Sequence, residues 1–242
     1  MERKKYILIG LFSSIIVSVF GQINETIYQA YTSGNMVEWE KAMDTYKVTA
    51  NADKLELINF QYGYIAYCID QDKKEEAKKY MLKAKNLIAE LEKQQYKVST
   101  LYAYKSAFIG FDMGISPYKA LFIGHESLSF AEKSVAIDET NFFGYIQLGN
   151  IAFYTPAMFG GSKTEAIIHY LKALELMEMD PEILKSNWNY LNLLATIINA
   201  YHEQGQYELA KRYCIKTLSI EPEFDWVKNH LYPRTLKRIK NG

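Results

Sequence analysis

From residue 24 onward, apolar positions in this chain recur at intervals of three and four. Ala166, Ile167, Tyr170, Leu171, Leu174 and Met177 make one such stripe, and Ala77, Met81, Ala84, Leu87 and Ile88 make another. That period places each set on one face of an α-helix. Prolines are scarce, and no run of alternating β-branched residues suggests a sheet. The pattern predicts helices over 24–33 and 37–50, 54–70 and 73–94, 98–114 and 117–137, 141–154 and 162–179, and 181–204 and 206–219. A last helix over about 225–240 follows, with Pro233 expected to kink or interrupt it. Asp53 with Glu56, Asp72 with Glu75 and Ser162 with Glu165 have the spacing of a capping box or its Asp analogue. Ser116-Pro117 and Asp180-Pro181 each set a capping side chain before a proline suited to a first helical turn.

Helices of this kind cannot bury their stripes alone, so neighbouring pairs must supply one another's core. Tyr201, Gly205, Tyr207, Ala210 and Pro222 show how one pair is joined. Gly205 ends a helix where a left-handed backbone is needed, Ala210 permits close approach, and Pro222 stops the second helix. This spacing resembles the second half of a tetratricopeptide repeat (TPR), a helix–turn–helix unit of about 34 residues. Leu194 stands where that pattern has a large aromatic, and Cys214 and Thr217 occupy two further second-helix places. Leu148-Gly149, Ala166, Tyr170, Ala173 and Leu174 form a second match. There Gly149 and Ala166 lie 17 residues apart, against about 12 in the uninterrupted repeat. The extra residues fall in the apolar turn from Tyr154 to Ser162, which holds Pro156, Gly160 and Gly161. The resemblance implies an all-α chain: a TPR-like α-solenoid of about five helical hairpins over 22–242, with a C-terminal capping helix.

The first 21 residues stand apart from that domain. Glu2-Arg3-Lys4-Lys5 is followed by an uncharged apolar run from Tyr6 to Phe20, and Val19 and Gly21 are small residues at the places a signal peptidase reads. A membrane-spanning helix needs about 20 apolar residues, and this run is shorter and broken by Gly10, Ser13, Ser14 and Ser18. Residues 1–21 therefore read as a signal peptide, and the mature chain as periplasmic or secreted, with no stable membrane insertion after cleavage. Losing Arg3, Lys4, Lys5 and Glu2 takes 28 basic and 28 acidic residues to 25 and 27, a net charge of −2. Such a balance gives no electrostatic footprint for nucleic acid. The basic cluster Arg234, Lys237, Arg238 and Lys240 suits the end of a last helix. Cys68 and Cys214 lie 146 residues apart, in an early and a late hairpin, and are expected to be buried free thiols.

Little catalytic chemistry is legible. Gly160-Gly161-Ser162-Lys163-Thr164 lacks the spacing of a phosphate loop and does not follow a strand. His125, His169, His202 and His230 form no metal-binding pair, and Cys-x-x-Cys is absent. No nucleophile elbow occurs. The reading is non-enzymatic, with no cofactor and no metal. In TPR arrays the first helix of each pair lines the concave face. Asn150 and Asn199 hold equivalent places there, and an Asn amide can both donate to and accept from a peptide backbone. Phe153, Tyr154, His202 and Glu203 fall one turn further on. These six residues are the expected ligand-binding set, and a protein or peptide is the expected partner. The alternative for the two asparagines is that they bridge neighbouring helices. Ile146 and Ala195 stand where a carboxylate-gripping TPR has Lys, so that specificity is not implied.

Residues 117–179, from Ser116-Pro117 through Ala131–Asp138 to the Pro156…Gly160-Gly161 turn, also look like part of the T-component family of TRAP-type transporters. That resemblance implies a periplasmic accessory protein of solute uptake, binding a small or amphipathic molecule near the Pro156–Gly161 loop. The chain lacks the Cys that would carry a lipid anchor after the apolar run.

Overall fold

A computed structural model describes residues 23–241 of the chain, so the predicted signal peptide lies outside the described residues. Helix α1 covers 23–33. It is followed by α2 (Met36–Thr45), α3 (Asn51–Asp70), α4 (Lys74–Lys93), α5 (Val98–Ile115), α6 (Ala120–Ile137), α7 (Phe142–Tyr154), α8 (Lys163–Glu178), α9 (Trp188–Glu203), α10 (Tyr207–Ile220) and α11 (Tyr232–Asn241). Short 3-10 turns, Pro117–Lys119 and Ala157–Phe159, precede α6 and α8, and a π-helical turn, Trp226–Leu231, runs directly into α11. No strand occurs among the described residues. The architecture is the expected all-α solenoid: five hairpins stacked in chain order, then a terminal helix against α10.

Local chemistry sets the helix ends and corrects several expected boundaries. Asn35, Asn141, Ser162 and Asn187 each accept a hydrogen bond from a first-turn N–H, as N-caps do. Gly205, at φ +73°, closes α9 through Gln206 N–H to Tyr201 O at 2.9 Å. Helix α3 starts at Asn51, because the Asp53 carboxylate reaches back to the N–H groups of Thr49 (2.6 Å) and Ala50 (2.7 Å). Asp53 is therefore the third-position partner of the cap and not the cap itself. Helix α9 starts at Trp188 and not at 181. Asp180 caps only a turn there, by accepting from Glu182 N–H, and Ser186 at φ +45° breaks the path before Asn187 caps the true helix. Pro233 does not stop the last helix, but the α-helical path expected over 225–240 is interrupted just before it by the π turn. The proline lacks an N–H and its ring crowds the carbonyl four residues back, and the wider π turn immediately before it absorbs both demands.

Polar and aromatic contacts fix how the hairpins stack. Within hairpins the helices are antiparallel: Lys54 meets Glu90, Ser106 meets Ser127 and Ser99 meets Ser134 across α3/α4 and α5/α6. Gly149 takes the Tyr170 ring directly against its backbone across α7/α8. The first helices of successive hairpins lie side by side and run in one direction. Tyr62 of α3 meets Tyr104 and Phe111 of α5, and Tyr104 meets Phe143 of α7 at a ring separation of 4.6 Å.

This inner layer also closes on itself. Glu25 bonds Ser186 at 2.6 Å, and Tyr31 donates to Asn192 at 2.9 Å, so α1 runs along α9 in the same direction. Asn189 donates to Asn59 of α3 at 3.1 Å. Trp39 and Trp188 meet edge-on at 5.0 Å, and Tyr31 touches both of them and Phe224. Gly63 of α3 lies against the two indoles, where a Cβ would fall 2.7 Å from Trp39 Cζ2 and 2.8 Å from Trp188 Cη2. The concave face is thus filled by its own rings. Cys68 and Cys214 are buried and unpaired, and burial pushes both thiols up to about 11.

Candidate functional site

The six residues expected to line a common groove are distributed as follows. Asn150 accepts from the Tyr170 hydroxyl at 2.9 Å and donates to Gln147 at 3.2 Å, so it ties α7 to α8. The Gln147 and Asn150 amides also flank the Tyr62 hydroxyl, whose pKa burial pushes up to about 12. Asn199 accepts from Arg234 at 2.6 Å and ties α9 to α11. Both asparagines bridge helices. Phe153 carries the Lys163 ammonium 3.4 Å from its ring centre and offers that ammonium its carbonyl oxygen. His202 is buried with Nε2 unpartnered, and burial first, then Arg234 and Arg238, hold its pKa below the ordinary 6.5. Glu203 and Tyr154 are exposed. Phe153 and Tyr154, at the end of α7, and His202 and Glu203, at the end of α9, do share one end of the stack. Gln204, just beyond them, reaches Thr164 at the start of α8.

Six of the chain's exposed large apolar side chains gather at that end, while others, such as Leu82, Ile137 and Met179, lie elsewhere. Antiparallel pairing brings the end of α5, the start of α6, the end of α7 and the start of α8 to the same side of the molecule. Tyr118, Leu121 and Phe122 project there from the Pro117 turn and α6. Tyr154, Met158 and Phe159 project from α7 and the 155–162 loop. Each of the six is between 63% and 82% exposed. Soluble chains seldom show this much apolar surface at one end without a use for it. His125, also exposed, stands one turn beyond Leu121 and Phe122 on the same face of α6. The loop is built to hold its shape. Gly160 takes φ +92°, Ser162 N–H bonds Ala152 O at 2.9 Å, and Gly161 lies so close to the Thr155 carbonyl that no Cβ fits.

The opposite end, where the inner helices begin, holds a cleft of about 390 Å³. Glu56 and Asn59 of α3, Tyr104 of α5, Phe142 of α7 and Asn189 of α9 line it, with Ile183, Lys185 and Ser186 at its edge. Asn59 Oδ1 accepts from both Tyr104 (3.3 Å) and Asn189 (3.1 Å), which knits three inner helices across the floor. Among the described residues, no three His, Cys, Asp or Glu side chains come together as a metal site would require.

No family profile and no curated protein matches this chain. Among solved structures it is similar to the HusA haemophore from Porphyromonas gingivalis. The two share 15% sequence identity over 74% of this chain and 86% of that one, with a TM-score of 0.55. At that identity the likeness concerns the fold: both chains follow a comparable path of helices. No helix among the described residues is long and apolar enough to cross a membrane.

Sequence reasoning found the loop and Tyr154 but missed Tyr118, Leu121, Phe122 and the cleft. A signal for the first three was available. Helix α6 packs with small residues, Ser127, Ala131 and Ser134, all buried, while its first turns carry large apolar ones. A helix whose small side chains face the core and whose large ones do not is presenting the latter outward. Glu56 carries no such signal, because its place depends on how α1, α5 and α9 meet around it.

Proposed function

We propose that this protein is an exported, non-catalytic binding protein of TPR-like build, and that it takes a flat, largely apolar molecule on the end formed by α6 and the 155–162 loop. Haem is the first ligand to try. The observation that carries this reading is the set of six exposed apolar side chains: Tyr118, Leu121, Phe122, Tyr154, Met158 and Phe159. Four are aromatic rings and a fifth is a thioether, groups suited to lying against a planar ligand. His125 supplies an exposed imidazole one turn away, of the kind that ligates haem iron. The fold shared with a haemophore supports the same ligand class. The same surface would suit the amphipathic molecule expected near the Pro156–Gly161 loop of an accessory protein of TRAP-type uptake. A peptide lying along the concave face finds less support, because rings from α1, α2, α3, α5, α7 and α9 occupy it.

The test is a titration with haemin, followed by visible absorption, on the wild type and on Phe122→Ser and Phe159→Ser. Saturable binding that weakens by about tenfold or more in each variant is expected, since each loses an exposed ring worth at least about 1.4 kcal/mol of contact. Protoporphyrin binding with an unchanged affinity in His125→Ala would assign recognition to the apolar surface and leave iron ligation to the imidazole. No binding of haemin or protoporphyrin, or binding indifferent to both Ser variants, refutes the reading.

A further inference from the structure

We propose that the cleft at the opposite end is a second binding site, and that it takes an organic cation, a primary ammonium or a guanidinium, against the Glu56 carboxylate. The argument begins with what Glu56 lacks. An ionised carboxylate offers about four acceptor positions. Glu56 receives one long hydrogen bond, from Asn59 Nδ2 at 3.5 Å. Among the described residues it has no ion-pair partner, although most other cleft groups are matched. Lys185, the cation at the edge, is held by both oxygens of Glu182 at 2.7 Å. Asn59 Oδ1 is taken by Tyr104 and Asn189.

The helix N-termini at this mouth are also provided for. Asn141 serves the first N–H groups of α7, Asn187 serves Asn189 N–H in α9, and Asp53 serves the N–H groups preceding α3. The uncompensated charge in the cleft is therefore a single negative one, in the second turn of α3 and half-buried. Burial holds its pKa above the ordinary carboxylate value, as expected of an anion short of solvent and of a counter-ion. The walls favour the same guest. Tyr104 and Phe142 line the same cleft as the carboxylate, and an organic cation is stabilised by aromatic rings as well as by an opposite charge. The volume is at the low end of small-molecule sites, the size of an amino acid or a short polyamine.

A guest of this chemistry has two sources: a free amine, or a Lys or Arg side chain presented by another protein. Calorimetric titration distinguishes them with agmatine and spermidine in one arm and a blocked peptide carrying a single Arg in the other. The N-acetylated urea analogue of agmatine, which carries neither an ammonium nor a guanidinium, serves as the uncharged control. The expected result is binding in at least one charged arm, none by the control, and loss of about tenfold or more in Glu56→Gln. Glu56→Gln keeps size and hydrogen-bonding reach, and unchanged circular dichroism would confirm that it folds. Glu56→Asp provides a second check, because a retracted carboxylate should retain part of the affinity. Absence of binding in both charged arms at millimolar concentration overturns the proposal, as does binding that Glu56→Gln leaves intact. Neither result bears on haemin, which is tested at the other end.

Discussion

Closure of the inner layer can be tested at one glycine. In Gly63→Ala the new methyl would sit 2.7 Å from Trp39 Cζ2 and 2.8 Å from Trp188 Cη2. Neither ring has room to retreat: Trp39 is fully buried and donates its indole N–H to Phe60 O at 3.1 Å, and Trp188 is 4% exposed. Overpacking of this kind costs about 1–3 kcal/mol. Against it stands the gain of an alanine inside a helix, about 0.5–1 kcal/mol. The net expectation is a loss of about 1–2 kcal/mol. Gly110 of α5 supplies the control, because a Cβ built there meets nothing within 4 Å. Gly110→Ala should therefore stabilise by about 0.5–1 kcal/mol. Urea unfolding followed by circular dichroism would measure both, with the midpoints moving in opposite directions at unchanged slope. If Gly63→Ala is as stable as Gly110→Ala, the two tryptophans do not meet across α3 and the layer is open. An open layer would restore the groove that the sequence suggested.

Other substitutions separate the bridging roles from surface ones. Asn150→Ala should cost about 1–3 kcal/mol in urea, because it strands the fully buried Tyr170 hydroxyl. Asn199→Ala should lie within about 0.5 kcal/mol of wild type, since its partner Arg234 remains in solvent. Glu56 has a folded-state pKa above its ordinary 4.5, so its stability contribution is greatest below that value and declines as pH rises. Glu56→Gln should then melt higher than wild type at pH 7 and no higher near pH 4, read by thermal unfolding at both. His202 has the opposite sign. Its folded-state pKa lies below 6.5, so acidification past 6.5 protonates the unfolded chain first and lowers stability. His202→Phe should lose less stability than wild type between pH 7 and about pH 5.5, and equal losses would place the slope elsewhere.

How far the residues alone could lead is clearest in α8 and α9. The stripe of α8 was read almost completely from its spacing, and Ala166, Ile167, Tyr170, Leu174 and Met177 are all buried as that spacing requires. The start of α9 was not legible in the same way. Asp180-Pro181 has the composition of a helix start, yet Ser186 in a left-handed conformation delays the helix to Trp188, and only the fit of that indole between Trp39 and Gly63 explains why. The candidate site divides along the same line. Tyr154 and the Pro156–Gly161 loop interrupt a repeat, which is a local signal. The pairing of α1 with α9, the bridging of Asn150 to Tyr170 and the isolation of Glu56 arise from contacts between separate helices, and no local pattern encodes them.

The closure has a consequence for what any partner can do here. An open solenoid presents its inner helices along a groove and can grip an extended chain at many points. In this molecule Tyr31, Trp39, Tyr62, Tyr104, Phe143 and Trp188 use those inner faces on one another. The two ends remain accessible, and the direction of the inner helices makes them unlike. At one, the helices finish and the connections carry Tyr118, Phe122 and Phe159 into solvent. At the other, the helices begin among asparagines around an unmatched carboxylate. A ligand suited to the first surface is apolar and one suited to the second is cationic, so a single small molecule cannot serve both. Variants at the two ends should accordingly act without coupling. Phe159→Ser together with Glu56→Gln should change each binding event by the same factor as the single substitution does, and a departure beyond about 0.5 kcal/mol would show that the ring-filled interior transmits between them.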